Sequence, residues 1–202
     1  MRSRVLPSWL DTAFPEHPPL AAERALACKR CNRGWISDLE ERAMPLVEWL
    51  TGGRPFMLGQ QNQETVAMWG TKTILVLQAI RDPDLLPVGA YRGLHGGQSP
   101  PDGFRVAIAL RAREGRWPYR FAAQGSATTL REWDVLPTYP DTAIDHYRAE
   151  LCLGQLVIRC AANFTPHARP VDHGRAATEI WPTGAPLQFP PARGLVRAAR
   201  AL

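Results

Sequence analysis

Two cysteines at close spacing open the chemistry of this chain. Cys28-Lys29-Arg30-Cys31 has the form of a zinc-type knuckle, and Asn32-Arg33-Gly34-Trp35 follows it directly. A tight Cys-x-x-Cys turn brings two thiolates to about 2.3 Å from one tetrahedral ion. A closed structural site takes four ligands, yet the chain contains no second Cys-x-x-Cys and no His-x-x-His. Three readings stay open: half of a site completed elsewhere, a redox pair, or a remnant that holds no metal. A thioredoxin-like redox pair follows a strand, whereas Leu20 to Ala27 reads as helical or irregular. Cys152 and Cys160 lie in the apolar stretch Leu151 to Ala162, where a free thiol serves as a small hydrophobe.

Histidines and arginines supply the other candidates. His17, in Glu16-His17, is the one histidine near the knuckle, and Pro15 and Pro18 flank it as in a loop. His95, His146, His167 and His173 are scattered among turn residues. His167 and His173 with Asp172 read as solvated loop residues rather than a second metal site. Arg30, Arg33 and Arg42 sit on or beside the knuckle and are the candidate phosphate contacts. Trp35, Trp49 and Trp69 could stack on bases, but next to leucines and valines at helical spacing they read first as core.

The chain has 202 residues, a formal net charge of +5 and 45% hydrophobic residues. That is enough for one good core, or for a small N-terminal module packed on a larger body. Nearly all the positive charge is arginine, since Lys29 and Lys72 are the only lysines. Arginine binds phosphate bidentately, but arginine and alanine also accumulate together in chains from GC-rich genomes. Charge alone therefore names no partner. No run reaches the roughly 18 apolar residues of a membrane span, and no apolar stretch follows the basic N-terminus as a signal peptide requires. The expectation is a cytoplasmic protein with no membrane partner and no small-molecule cofactor.

The elements that must position these residues follow from spacing. Pro7, Pro15, Pro18 and Pro19 break residues 1–27, although Val5, Leu6, Trp9, Leu10 and Phe14 give them an apolar face. Ser37-Asp38-Leu39-Glu40 has the form of a capping box, and Leu39, Ala43, Leu46, Val47 and Leu50 continue at helical spacing. Gly52-Gly53 stop that helix, and Pro45 predicts a kink or two shorter helices. A second helix is predicted over about 61–80, with Val66, Trp69, Thr73, Leu77 and Ile80 on one face. Beyond Pro87 the chain reads as β-rich. Phe104 to Arg111 alternates like a half-buried strand, Tyr119 to Gln124 is another, and Tyr147 to Ile158 gives strand with Gly154 as a bulge or turn. Ile180-Trp181-Pro182 and Phe189-Pro190-Pro191 precede a short basic helix ending at Leu202. The expected class is α+β: a partial finger with its helix over 1–53, then an α+β domain over 54–202 with strands from about 104 onward.

Cys28-x-x-Cys31-Asn32-x-Gly34-Trp35-x-Ser37-x-Leu39-Glu40 resembles the second half of the metal finger in a group of bacterial and phage HNH-type endonucleases. These are ββα-metal, or His-Me finger, enzymes with a treble-clef-like finger. Val5-Leu6-Pro7-Ser8-Trp9-Leu10 is similar to the segment that precedes this half. The likeness continues more loosely through Trp69-x-x-Lys72-Thr73, Ile180-Trp181-Pro182 and Pro190-Pro191. The resemblance implies metal-dependent phosphodiester hydrolysis as the family activity. In such chemistry a histidine activates water while a divalent ion such as magnesium steadies the phosphate.

The same comparison implies an N-terminally truncated chain that lacks the catalytic histidine. The family's first cysteine pair has no counterpart, and Ser3 and Arg4 stand where an acidic ligand and the histidine are expected. Arginine stays protonated and is a poor base; serine is a weak substitute for a carboxylate ligand. His17 is the one remaining candidate base, and it follows the Trp9-Leu10 segment instead of preceding it. Cys28, Cys31 and Asn32 are the candidate metal-side residues, with structural zinc and catalytic magnesium as the implied ions. The expected function is an HNH endonuclease-like, DNA-related protein that does not cleave. The alternative is a non-catalytic nucleic-acid-binding or protein-interaction module that keeps the knuckle as a structural element.

Overall fold

The computed structural model describes residues 33–53, 55–82, 84–96, 99–111, 119–126, 144–164, 173 and 177–189. His17, Cys28, Arg30, Cys31 and Asn32 lie outside the described residues, as do His167, the segment Val5 to Leu10 and the basic stretch ending at Leu202.

The first helix, α1 (Trp35–Thr51), buries Ile36, Leu39, Ala43, Val47 and Leu50. Their three- and four-residue spacing makes one apolar stripe. Pro45 lies inside a single helix, rather than dividing it in two. Its ring is on the exposed side, while Ala43 and Val47 continue the buried stripe past it. Gly34 is the N-cap and no side chain caps the helix. Ser37 therefore sits inside the first turn, and the expected capping box does not form. Gly52 ends the helix, and Gly53 adopts φ +64°, a left-handed conformation that glycine reaches without strain.

β1 (Phe56–Leu58) follows, ahead of the region where strands were expected. It pairs antiparallel with β7 (Leu187–Phe189), placing Phe56 opposite Phe189. Between them in sequence comes the longest helix, α2 (Gln60–Arg81), close to the predicted 61–80. Its sequence suggests one apolar face, but every residue from Thr65 to Leu75 is buried. The reason is placement: α2 touches α1 as well as strands of both sheets. A helix surrounded in this way must bury its polar residues too, so each needs a local partner. Gln63 meets that need with its amide. Its Nε2 donates to the carbonyls of Leu58 and Ala185, each at 3.0 Å, and its Oε1 accepts from Gly184 N–H at 3.4 Å.

A short helix, α3 (Val88–Gly96), occupies the start of the stretch read as β-rich. Pro87 suits a helix entry, and Ala90 and Leu94, four apart, bury one side. The remaining strands are β2 (Phe104–Leu110), β3 (Tyr119–Ser126), β4 (His146–Leu153), β5 (Leu156–Asn163) and β6 (Thr178–Trp181). They form a five-stranded antiparallel sheet in the order β3-β4-β5-β2-β6. The β4–β5 hairpin turns at Gly154-Gln155, with Gly154 at φ +55°. One sheet face, carrying Val106, Ile108, Tyr147, Leu151, Ile158 and Cys160, joins the helices in one core. The opposite face buries Ala109, Cys152 and Val157 beneath Ala177. β2 is consequently buried on both faces, where alternation had suggested one.

The fold is α+β. Among the described residues, no helix is long and apolar enough to cross a membrane.

The contact between α2 and the sheet is closest at Gly70, where an added Cβ would lie 2.9 Å from Ile158 Cγ2. Gly70→Val should destabilise the protein by about 1–3 kcal/mol in urea unfolding, because overpacking forces neighbours off their rotamers. Part of that loss should return in an Ile158→Ala background; equal losses in both backgrounds would refute the contact.

Candidate functional site

Among the described residues, the most deeply buried ion pair joins two helices. On α1, Glu40 follows Leu39 of the buried stripe and turns toward α2. On α2, Trp69 and Lys72 are three residues apart and so project from neighbouring positions on one side. The Glu40 Oε2 accepts a hydrogen bond from Trp69 Nε1 at 2.8 Å, and its Oε1 pairs with the Lys72 ammonium. Trp69 is fully buried and Lys72 is 2% exposed, whereas the Glu40 side chain retains 23% of its exposure. The ammonium also lies 5.8 Å from the Trp69 ring centroid, within the range of a cation–π contact.

Burial lowers the Lys72 pKa, and the charge and hydrogen bond of Glu40 oppose that shift. A lysine so placed has the depressed pKa of a nucleophile or base, but it has almost no contact with solvent. Its ammonium is held by a carboxylate instead of facing an opening. The arrangement joins two helices; it does not present a reacting group.

The other buried titratable groups are similarly enclosed. Burial pushes Cys160 up to about 12, against a smaller opposing effect of the Thr71 hydroxyl. Cys152 is 1% exposed. Both thiols therefore have the core role expected from their apolar setting, and the raised Cys160 lacks the thiolate character that reactivity needs. Tyr91 is raised to about 12, first by burial and then by the charges of Asp82 and Asp84. Tyr147 is raised by burial as well, and its hydroxyl lies 3.5 Å from Gln78 Oε1.

At the knuckle end of α1, Arg33 is exposed and Trp35 is half-buried against the core. Arg42 is exposed, and its Nε donates to the Asp38 carbonyl at 3.3 Å. The same outer side of α1 carries the exposed carboxylates Asp38, Glu41 and Glu48, so it is not uniformly basic. Trp49 is 46% exposed and packs on Phe56 with ring centroids 6.0 Å apart. The three tryptophans divide: Trp69 is core, Trp35 lies at its edge and Trp49 reaches the surface.

The histidines do not converge. His95 is exposed on α3, His146 Nδ1 is 3.0 Å from Asn163 Oδ1 on the sheet, and the His173 carbonyl accepts from Arg159. Among the described residues, no three His, Cys, Asp or Glu side chains form a group that could hold a metal. The sequence assigns Glu40 to a cap and places Lys72 only in the loose Trp69-x-x-Lys72-Thr73 likeness. The missed signal was a lysine that is the sole charged residue between Glu64 and Arg81 of one helix, in a chain otherwise supplied with arginine. A buried ammonium needs a carboxylate, and Glu40 ends the other motif.

No protein-family model matches the chain, and no curated protein or solved structure matches it.

Removing one partner leaves the other charge buried and uncompensated, which is more damaging than removing both. Glu40→Ala should destabilise the protein by about 3 kcal/mol in urea unfolding, near the lower end for buried pairs because Glu40 keeps some solvent contact. Glu40→Leu combined with Lys72→Met should recover most of that loss. Additive effects in this cycle would show that the two side chains are not coupled.

Proposed function

We propose that this chain is a nucleic-acid-binding relative of the HNH-type endonucleases that keeps the second half of the finger and does not cleave. Its working compartment is the cytoplasm. The observation that supports this reading is the meeting of the two motifs on which the resemblance rests. Glu40 closes the motif that begins at Cys28, and Trp69 and Lys72 belong to the motif that follows it. They are 29 and 32 residues away in sequence and share one carboxylate. Residues that recur in separate motifs and bind each other are the parts of one structural unit. In this reading Glu40 anchors the knuckle helix to α2 and takes no part in chemistry.

Nucleic acid would meet the knuckle end of α1, where Arg30 and Arg33 precede the carboxylates of the helix surface. Arginine forks and helix N-termini both favour phosphate. Structural zinc would draw on Cys28 and Cys31 with further ligands. A catalytic role for magnesium has no residue pair to support it, given Ser3 and Arg4 at the positions discussed above.

Fluorescence anisotropy with labelled duplex DNA, read across a salt series, tests the proposal. Affinity should fall steeply with salt, and Arg30→Ala with Arg33→Ala should reduce the log–log slope by about 2. Plasmid incubated with the protein and magnesium or manganese should stay supercoiled. Absence of binding at low salt would refute the nucleic-acid reading. Metal-dependent nicking abolished by His17→Ala would replace it with an enzymatic one.

A further inference from the structure

The turn that leads into β2 carries chemistry that neither the core nor the knuckle accounts for. Asp102-Gly103 is the one Asp-Gly pair in the chain, and no Asn-Gly occurs. Such a pair is the aspartyl sequence most open to attack by its own backbone. The nitrogen of the next residue can reach the side-chain carbonyl carbon, and glycine puts no side chain in the way. Both residues are exposed.

The backbone around the pair forms a defined turn. Phe104 N–H donates to the Pro101 carbonyl at 3.1 Å, and Gly103 adopts φ +81°. Among the described residues only glycines have positive φ, so Asp102 does not, and the turn is type II. In that turn the middle N–H faces away from the closing bond. Gly103 N–H donates to no acceptor among the described residues. The attacking nitrogen is uncommitted.

Glycine is required at this position. A Cβ on Gly103 would stand 2.6 Å from the Asn163 carbonyl oxygen, and the left-handed φ would strain any other residue. The Gly103 carbonyl accepts from Asn163 N–H at 3.2 Å, which ties the start of β2 to the end of β5. Phe104, next in the chain, is buried and packs edge-on against Phe164. The fold therefore demands the small residue that makes its aspartate labile.

We propose that Asp102 is a site of spontaneous isomerisation to isoaspartate in the folded protein. Gly103 N attacks Cγ of the Asp102 carboxyl in its protonated form. A C–N bond replaces the C–OH bond, and the amide proton leaves with that hydroxyl as water. Water then adds to the cyclic imide and breaks the bond between Gly103 N and the Asp102 backbone carbonyl carbon. The product keeps the original composition, frees the α-carboxylate and runs the main chain through the side-chain methylene. Type II turns hold their second residue at ψ of about +120°, and ring closure needs that peptide plane turned over. A flip of the Asp102–Gly103 peptide is therefore the gate. The added main-chain methylene then disrupts both the Pro101–Phe104 and the Gly103–Asn163 hydrogen bonds.

Ageing the full chain in warm neutral buffer, then mapping it with an endoprotease that cleaves before aspartate but not isoaspartate, tests the proposal. Cleavage before Asp102 should decline with time, at unchanged peptide mass, while cleavage before Asp38, Asp84 and Asp145 persists. Asp102→Glu, which would need a larger ring, should abolish the change. Asp102→Asn closes the same ring with loss of ammonia and should accumulate aspartate and isoaspartate at that position. Amide exchange at Phe104 and Asn163 should be about tenfold faster in the isomerised fraction, the factor that loss of one hydrogen bond allows. Unfolding in urea should accelerate the reaction by freeing the peptide flip. Persistent cleavage before Asp102, or isoaspartate spread evenly over the aspartates, would overturn the proposal. So would unaltered exchange at both amides, or a rate in urea no greater than that of the native protein.

Discussion

A lysine ammonium buried in the middle of the central helix constrains everything around it. An unpaired charge at that depth would either lose its proton or prevent folding. Among the described residues Lys72 pairs with one carboxylate, and that carboxylate comes from a different helix. The pairing therefore fixes the rotation of α1 as well as the position of its Glu40. Trp69 narrows the geometry further, because its indole N–H needs an acceptor and uses the other oxygen of the same group. Apolar packing between Leu39, Ala43 and Leu50 and the rest of the core is strong but tolerant of sliding. The polar contact supplies the direction that packing lacks.

This constraint extends outward in both directions along the chain. Toward the N-terminus, the pairing anchors α1, whose first residue, Trp35, is four residues after Cys31 in sequence. Toward the C-terminus, α2 lies against the sheet at Gly70, where the helix backbone approaches Ile158. Gln63 then ties the start of α2 to the β6–β7 connection through Ala185 and Gly184. Elements distant in sequence are connected through buried polar groups of one helix, and α2 is the common member of each contact.

Much of this was legible before any coordinates. The helical spacing of Leu39, Ala43, Val47 and Leu50 located α1, and Gly52-Gly53 located its end. The limits of α2 were read to within a residue, and the strands around Phe104, Tyr119 and Tyr147 were recognised from their composition. What escaped depended on tertiary placement. Glu40 fits a capping box by its spacing from Ser37, and only the start of the helix at Trp35 removes that role. α2 seemed one-sided because its surface residues include threonine and glutamine, which are buried here by neighbours that sequence does not name. β1 and β7 are three residues each, too short for alternation to register. α3 carries Gly89, Gly93 and Gly96 in nine residues, which weakens any helical signal there. The candidate site was half legible: the motifs were visible, but not that they bind one another.

The central claim is that the Glu40 contact makes α1 and α2 one cooperative unit. Native-state hydrogen exchange in low urea measures this directly, by comparing the opening free energies of the two helices. The amides of Leu39 to Leu50 should open with the same free energy and the same urea dependence as those of Val66 to Leu77. Separate opening of α1, at a distinctly lower free energy while α2 remains protected, would contradict the account.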